Sequence, residues 1–210
     1  MSDMRDGRVP PRQHNFEDAV ARALIALALQ TDEQLQWLGA EPAAEGRWTL
    51  SVLDDVLSVD VSDGRVCTTV GDEVGRFWRV LVLHYLAVSV RAEALPPSVG
   101  FADLPSGRSY APVYRGRVIG RLCGTAGRNA RTLRAAAERL GGASVSAGDA
   151  GYDFRVFPRV WLRLVWYAGD DELSPSAAML LPANIEAFFN IEDVVVLSEG
   201  LVARLGGRPF

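Results

Sequence analysis

The stretch Tyr152-Asp-Phe-Arg-Val-Phe-Pro-Arg-Val-Trp-Leu-Arg-Leu-Val-Trp-Tyr167 decides the fold class. Its polarity alternates with a period of two, which is typical of β-strands that bury one face. Pro158 interrupts the run, and because proline donates no hydrogen bond to a neighbouring strand, the pattern predicts two strands that meet there. The predicted core face of the second strand consists of Val160, Leu162, Leu164 and Trp166.

The regions around this stretch predict both helices and further strands. Alternation on either side of Asp54-Asp55 predicts a β-hairpin over 48–61, and a third strand is predicted over 66–70. Apolar residues at helical spacing predict helices over 15–39, 74–91, 111–123, 128–140 and 176–205, the last split near Asn190. Helices before, between and after hairpins predict a single α+β domain over 15–210, with antiparallel strands and helices packed against them. A disordered tail is predicted for 1–14.

The composition excludes several kinds of chemistry. All 22 basic residues are arginines, so a Schiff-base lysine, a P-loop lysine and a lysine general base are excluded. Cys67 and Cys123 stand alone, without the paired spacing of zinc or iron–sulfur sites, and we expect reduced thiols. The sequence has no Gly-x-Ser-x-Gly, Gly-x-Gly-x-x-Gly or His-Glu-x-x-His motif. No catalytic residue is therefore assigned.

The location of the protein is predicted from its apolar segments. The polar start of the chain lacks the apolar region of a signal peptide. The strongest apolar run, over 80–90, is too short to span a bilayer and predicts a buried helix. We therefore expect a cytoplasmic protein that does not enter the membrane.

Charge is distributed unevenly along the chain. Eight arginines and one acid lie between Arg108 and Arg139, whereas seven acids and no basic residue lie between Leu164 and Ala203. Three interpretations are open. The two charged surfaces face solvent or each other. Alternatively, the arginine face, with Arg115 as its candidate residue, binds an anion such as phosphate, or one of the two faces binds a partner protein. Nucleic acid is not expected, because the net charge is −4 and no nucleic-acid-binding motif is present.

Two other features point to possible chemistry. Three acids, Asp170, Asp171 and Glu172, follow the predicted strand that ends near Tyr167. Clustered carboxylates at the end of a strand can bind a divalent cation, and crowding can raise the pKa of one of them. Such residues are also typical of turns and of the first turn of a helix. His84 lies within an apolar helix beside Tyr85. It is either a core histidine or a proton donor and ligand contact.

Several short motifs occur in an order that is typical of one family. They are His84-Tyr85-Leu86, Phe101-x-x-Leu104-Pro105-x-Gly107-x-x-Tyr110, Leu140-Gly141-Gly142 with Asp149, Trp166-x-x-Gly169-Asp170-x-Glu172, and Glu192-Asp193. Together they resemble the prokaryotic domain-of-unknown-function family 3786. The resemblance implies candidate site residues and a link to corrinoid or one-carbon metabolism, but no reaction. The chain departs from the family pattern at Leu173, where an aromatic residue is expected, and near 181–182, where an acid is expected. It also lacks the cysteine-rich segment of some relatives, so an electron-transfer role is not implied.

These observations predict a non-catalytic module that binds a small anion or cofactor, or serves as an accessory protein. The predicted pocket lies between the 101–110 loop, the helix at residues 84–85 and the loop after residue 166. Its candidate ligand-binding residues are His84, Tyr85, Phe101, Tyr110, Arg115, Trp166, Asp170 and Glu172. The alternatives are a metal-dependent enzyme that uses Asp170, Glu172 and Asp149, and a protein-interaction subunit that uses the charged faces.

Overall fold

The computed structural model describes residues 14–210, with side chains from Phe16 onward. The tail predicted for 1–14 lies outside these described residues, apart from His14, where the first helix begins. Two antiparallel sheets, called sheet A and sheet B here, share one hydrophobic core with the helices. The predicted α+β class is confirmed.

Sheet A is a four-stranded antiparallel meander. Its strands are β1 Ala40–Pro42, β2 Trp48–Val52, β3 Asp55–Asp60 and β4 Arg65–Cys67. The hairpin predicted over 48–61 is confirmed, and Leu53 adopts a φ of 52° in its tight turn. The third strand is shorter than predicted, because a turn begins at Thr68, whose carbonyl accepts a hydrogen bond from the Gly71 N–H.

Sheet B is a five-stranded antiparallel sheet. Its strands are β5 Pro97–Gly100, β6 Ala143–Val145, β7 Ala150–Phe157, β8 Val160–Tyr167 and β9 Ser176–Pro182, in the spatial order β5-β9-β8-β7-β6. The two strands predicted on either side of Pro158 are confirmed as β7 and β8, which pair with Arg155 opposite Trp161. The predicted core face of β8 is buried. The period-two pattern therefore identified the central hairpin of this sheet.

The helices surround the two sheets. They are α1 His14–Leu27, α2 Asp32–Trp37, α3 Arg76–Leu86, α4 Ala111–Tyr114, α5 Arg121–Gly124, α6 Ala130–Arg139 and α7 Ile191–Leu205, and a π-helical segment Arg115–Gly120 joins α4 to α5. The prediction of one helix over 15–39 was wrong. The chain forms two helices, because the Thr31 hydroxyl accepts a hydrogen bond from the Gln34 N–H at 3.2 Å and starts α2. The helix predicted over 74–91 is found but ends five residues early, at Leu86. The stretch predicted over 111–123 is helical with the π-helical segment in its middle, and the helix predicted over 128–140 is found as α6.

The prediction of helix from residue 176 was also wrong. Residues Ser176–Pro182 form β9, which lies between β8 and β5 and pairs with both. Its alanine, methionine and leucine residues favour helices by intrinsic propensity, but pairing on both edges and the burial of Met179 and Leu181 outweigh that preference. The later helix does begin after Asn190, whose side chain caps α7.

Helix α3 lies between α1 and α7 and positions the site described below. Leu81, Val82, Leu83 and Leu86 are almost fully buried on its core side. Residues 80–86 of the apolar run thus form a core helix, as predicted, whereas the run leaves the helix after Leu86 and Val90 is exposed. Within 14–210, none of the helices combines the length and the apolar character that crossing a bilayer requires.

The two cysteines are free thiols, as expected. Both are half-buried. Burial raises the pKa of the Cys123 thiol, which favours the protonated and unreactive form.

Candidate functional site

A cavity of about 800 Å³ opens between α1, α3, the π-helical segment and the first half of α7. Its volume lies in the range of small-molecule sites, on the order of 300–1,000 Å³. Helical spacing explains how α3 contributes, because Arg76, Val80 and His84 recur every fourth residue and share one face. The other charged and aromatic lining residues are Phe16, Arg22, Phe77, Arg117, Glu192, Asp193 and Glu199.

A hydrogen-bonded chain connects α3 to the start of α7 on one wall of this cavity. His84 Nδ1 donates to Asp193 Oδ2 at 2.7 Å, and Asn190 Nδ2 donates to the same oxygen at 2.6 Å. Asn190 Oδ1 also accepts from the Glu192 and Asp193 N–H groups, both at 3.0 Å, and so caps α7. His84 is therefore held by a partner that the helix cap itself keeps in place.

The environment of His84 favours its protonated form. Burial by itself lowers the pKa of His84, and the positive charge of Arg22 acts in the same direction. The hydrogen bond and negative charge of Asp193, together with the Ala19 backbone, outweigh both effects and raise the pKa of His84 above its usual value. The imidazole therefore gains a positive charge more readily than a free histidine.

This arrangement predicts that stability decreases as the pH rises through the pKa of His84. Since that pKa is higher in the folded than in the unfolded chain, the stabilisation is fully present below the unfolded value and is lost above the folded one. We expect the wild type to have a lower urea midpoint at about pH 8.5 than at about pH 5.5, on either side of the usual pKa near 6.5.

His84→Gln isolates this effect, because glutamine can donate to Asp193 but does not titrate. The variant should show a smaller difference between the two urea midpoints, while all other titrating groups act equally in both proteins. An identical pH dependence in wild type and variant would contradict the assignment.

A second charged pair closes the far side of the cavity. Arg117, in the π-helical segment, donates from Nε to Glu199 Oε1 at 2.8 Å and from Nη2 to Oε2 at 2.5 Å. Its Nη1 donates to the Tyr110 hydroxyl at 3.3 Å, which brings Tyr110 to the edge of the site. π-Helical turns are rare and frequently occur at functional sites.

The remaining wall combines aromatic rings with positive charge. The Phe16 and Phe77 rings meet edge to face, with centroids 5.0 Å apart. The Arg76 guanidinium lies 4.9 Å from the Phe16 centroid and 5.2 Å from the Phe77 centroid. In the described part of the chain, no carboxylate lies within ion-pair distance of Arg22 or Arg76. This wall is therefore positive and partly apolar.

Of the candidate residues from the sequence, His84 lines the cavity and Tyr110 contacts it through Arg117. Tyr85, the next residue along α3, points instead into the core. Its hydroxyl donates to the Leu38 carbonyl at 2.7 Å and accepts from the Arg159 N–H at 3.2 Å, and its ring stacks on Phe157. Tyr85 thus joins α2, α3 and the β7–β8 turn.

Three further candidates also lie away from the cavity. Phe101 is buried and stacks on Tyr114, with ring centroids 4.0 Å apart. Trp166 is buried, and its Nε1 donates to the Gly127 carbonyl at 2.7 Å. Arg115 is exposed to solvent and does not line the cavity. The first two residues hold the fold together.

The acidic loop is separate from the cavity. Asp170 and Glu172 line a shallow depression formed by residues 169–175. Asp170 Oδ1 accepts from the Glu172 and Leu173 N–H groups at 2.9 and 2.8 Å, and these bonds lower the pKa of Asp170. Asp149 accepts from the Ala168 N–H. Asp149 and Asp170 thus shape turns, and between residues 16 and 210 no group of three His, Cys, Asp or Glu is arranged to hold a metal ion.

The structure therefore does not bring the predicted set together around one pocket: His84 and Asp170 line different depressions. Sequence reasoning missed Phe16, Phe77, Arg22 and Arg76. The spacing of Arg76 and His84 on one helix was a usable signal, since residues eight apart share a face. Arg22 had no such signal, because it reaches the cavity from α1, whereas Arg117 belongs to the arginine-rich stretch 108–139, for which an anion-binding face was one interpretation.

Comparisons with curated proteins and with solved structures find no match to this chain. The model of the family described as "Domain of unknown function (DUF3786)" matches residues 32–204, which confirms the resemblance. The match includes the cavity walls from α3, the π-helical segment and α7, whereas α1 lies before it. The chain belongs to the DUF3786 family.

Proposed function

We propose that this chain is a non-catalytic module that binds a small organic anion in the cavity between α1, α3 and α7. The proposal is carried by one observation: Arg22 of α1 and Arg76 of α3 both line this cavity, and no carboxylate of the described residues lies within ion-pair distance of either. The third arginine of the lining, Arg117, is already paired with Glu199. Guanidinium groups pair their donors with the oxygens of carboxylates and phosphates, so such a cluster favours an anionic ligand.

The state of His84 supports binding more than catalysis. Its Nδ1 is engaged by Asp193, and the raised pKa favours the protonated imidazole. The protonated imidazole is a cationic hydrogen-bond donor whose charge Asp193 balances, so the arginines supply the positive character of the site.

Arg76→Gln should weaken ligand binding by about tenfold or more, because a hydrogen bond to a charged group contributes roughly 1.5–3 kcal/mol. The measurement is thermal shift with a panel of anions: inorganic phosphate, mononucleotides, folates, aliphatic and aromatic carboxylates, and the corrinoids cobinamide and cobalamin. At least one should raise the melting temperature of the wild type, and the same compound should raise that of Arg76→Gln less.

Arg115→Gln is the matched control, since Arg115 is an exposed arginine outside the cavity lining. Its response should equal that of the wild type. The proposal fails if no anion stabilises the wild type, or if the two variants lose the response equally.

The other predictions from the sequence stay predictions. A corrinoid ligand follows only from the family resemblance, and the panel includes it for that reason. A protein partner would find exposed arginines on α6, among them Arg131 and Arg134. A cytoplasmic location fits a module that binds metabolites.

A further inference from the structure

Resting on the proposed function, we infer that the anion is an aromatic carboxylate whose ring covers Phe77 while its carboxylate binds Arg76. The aromatic wall of the cavity supports this chemical class of ligand, whereas the arginines support the proposed function.

The first step concerns the exposure of Phe77. This side chain lines the cavity from the first turn of α3 and is 45% exposed. Phe16 covers only part of it, in the edge-to-face contact with an interplanar angle of 84°. A third aromatic ring packs favourably against such a pair of rings. A ligand ring placed on Phe77 would therefore remove the remaining apolar surface of this side chain from water.

The second step concerns the placement of Arg76. Its guanidinium lies over both phenyl rings, 4.9 Å from the Phe16 centroid and 5.2 Å from the Phe77 centroid, so its donors lie close to Phe77. When a ligand carboxylate binds the Arg76 donors, the ring attached to that carboxylate would lie on the Phe77 ring. An aliphatic anion would make the same ionic contact with Arg76, but its contact with Phe77 would be weaker than that of an aromatic ring.

The experiment compares 3-phenylpropanoate with 3-cyclohexylpropanoate, which have the same charge and chain but differ in their rings. Binding is measured by NMR titration of the wild type and of Phe77→Leu, which keeps an apolar side chain but removes the aromatic ring. The wild type should prefer the phenyl compound by about threefold to tenfold, the range expected for an aromatic pair. In Phe77→Leu this preference should disappear while both compounds still bind.

Tyr167→Leu is the matched control, because Tyr167 is 46% exposed on sheet B, away from the cavity. It should keep the wild-type preference. Two outcomes would overturn the inference and leave the proposed function intact. One is equal binding of both compounds by the wild type. The other is binding of non-aromatic anions only, in a way that depends on Arg76. If neither compound binds and no anion of the wider panel stabilises the wild type, the proposed function itself fails.

Discussion

Gly107→Ala is expected to lower the melting temperature by about 6–12 °C. A Cβ atom at this position would lie 1.8 Å from the Phe101 carbonyl oxygen, and a backbone atom cannot move aside as the end of a flexible side chain can. Overpacking of this kind costs about 1–3 kcal/mol, and we take the upper end because the contact is with backbone. In a chain of this length each kcal/mol corresponds to about 2–4 °C.

The effect should be large because the 101–110 loop is folded tightly on itself. The Gly107 N–H donates to the Leu104 carbonyl at 3.0 Å, and the Tyr110 N–H donates to the Gly107 carbonyl at 3.1 Å. A shift of Phe101 would also disturb its stacking on Tyr114. The loop that the sequence suggested as a wall of the binding pocket is thus part of the packed structure.

Gly124→Ala is the control, since no atom lies within 4 Å of a Cβ built there. Its stability should stay within about 0.5 kcal/mol of the wild type in the same thermal or urea unfolding experiment. Wild-type stability in Gly107→Ala would show that the loop can relax, and would contradict the packed arrangement.

Tyr85→Ala is expected to destabilise the protein by about 4 kcal/mol, as for other large aromatic residues removed from a core. The side chain is fully buried and stacks on Phe157 at 4.5 Å. Burial raises the pKa of Tyr85, so its phenol stays protonated and continues to donate to the Leu38 carbonyl. Urea unfolding at neutral pH is the measurement.

Tyr85→Phe separates the ring from the hydroxyl. It keeps the stacking and loses the two hydrogen bonds to backbone groups of Leu38 and Arg159, so we expect a loss of about 1–3 kcal/mol. Ligand binding should be unchanged, because Tyr85 does not line the cavity. If Tyr85→Phe keeps its stability but loses the response to anions, Tyr85 belongs to the site and the present placement is wrong.

His84 and Tyr85 show why neighbouring residues of one motif can have different roles. Successive residues of an α-helix point about 100° apart, as 3.6 residues per turn require. His84 therefore faces α7 and the cavity, whereas Tyr85 faces Leu38 and the sheet-B turn. The motif His84-Tyr85 therefore contains one residue that lines the cavity and one residue of the core.

Several parts of the fold could be predicted because they depend only on neighbouring residues. The period-two pattern around Pro158 identified β7 and β8, the alternation around Asp54-Asp55 identified the sheet-A hairpin, and Asn190 was correctly expected at the break before the last helix. These features depend on local periodicity and capping, which a few consecutive residues specify.

The identity of β9 and the location of the site depend on contacts between distant parts of the chain. Residues Ser176–Pro182 form a strand because two neighbouring strands pair with them, which their own propensities oppose. Arg22, Arg76 and Arg117 line one cavity because α1, α3, α7 and the π-helical segment pack together, and helix packing depends on contacts between residues far apart in the chain. Of the conspicuous acids at 170–172, Asp170 is used by its own turn, because its carboxylate accepts the nearest backbone N–H groups.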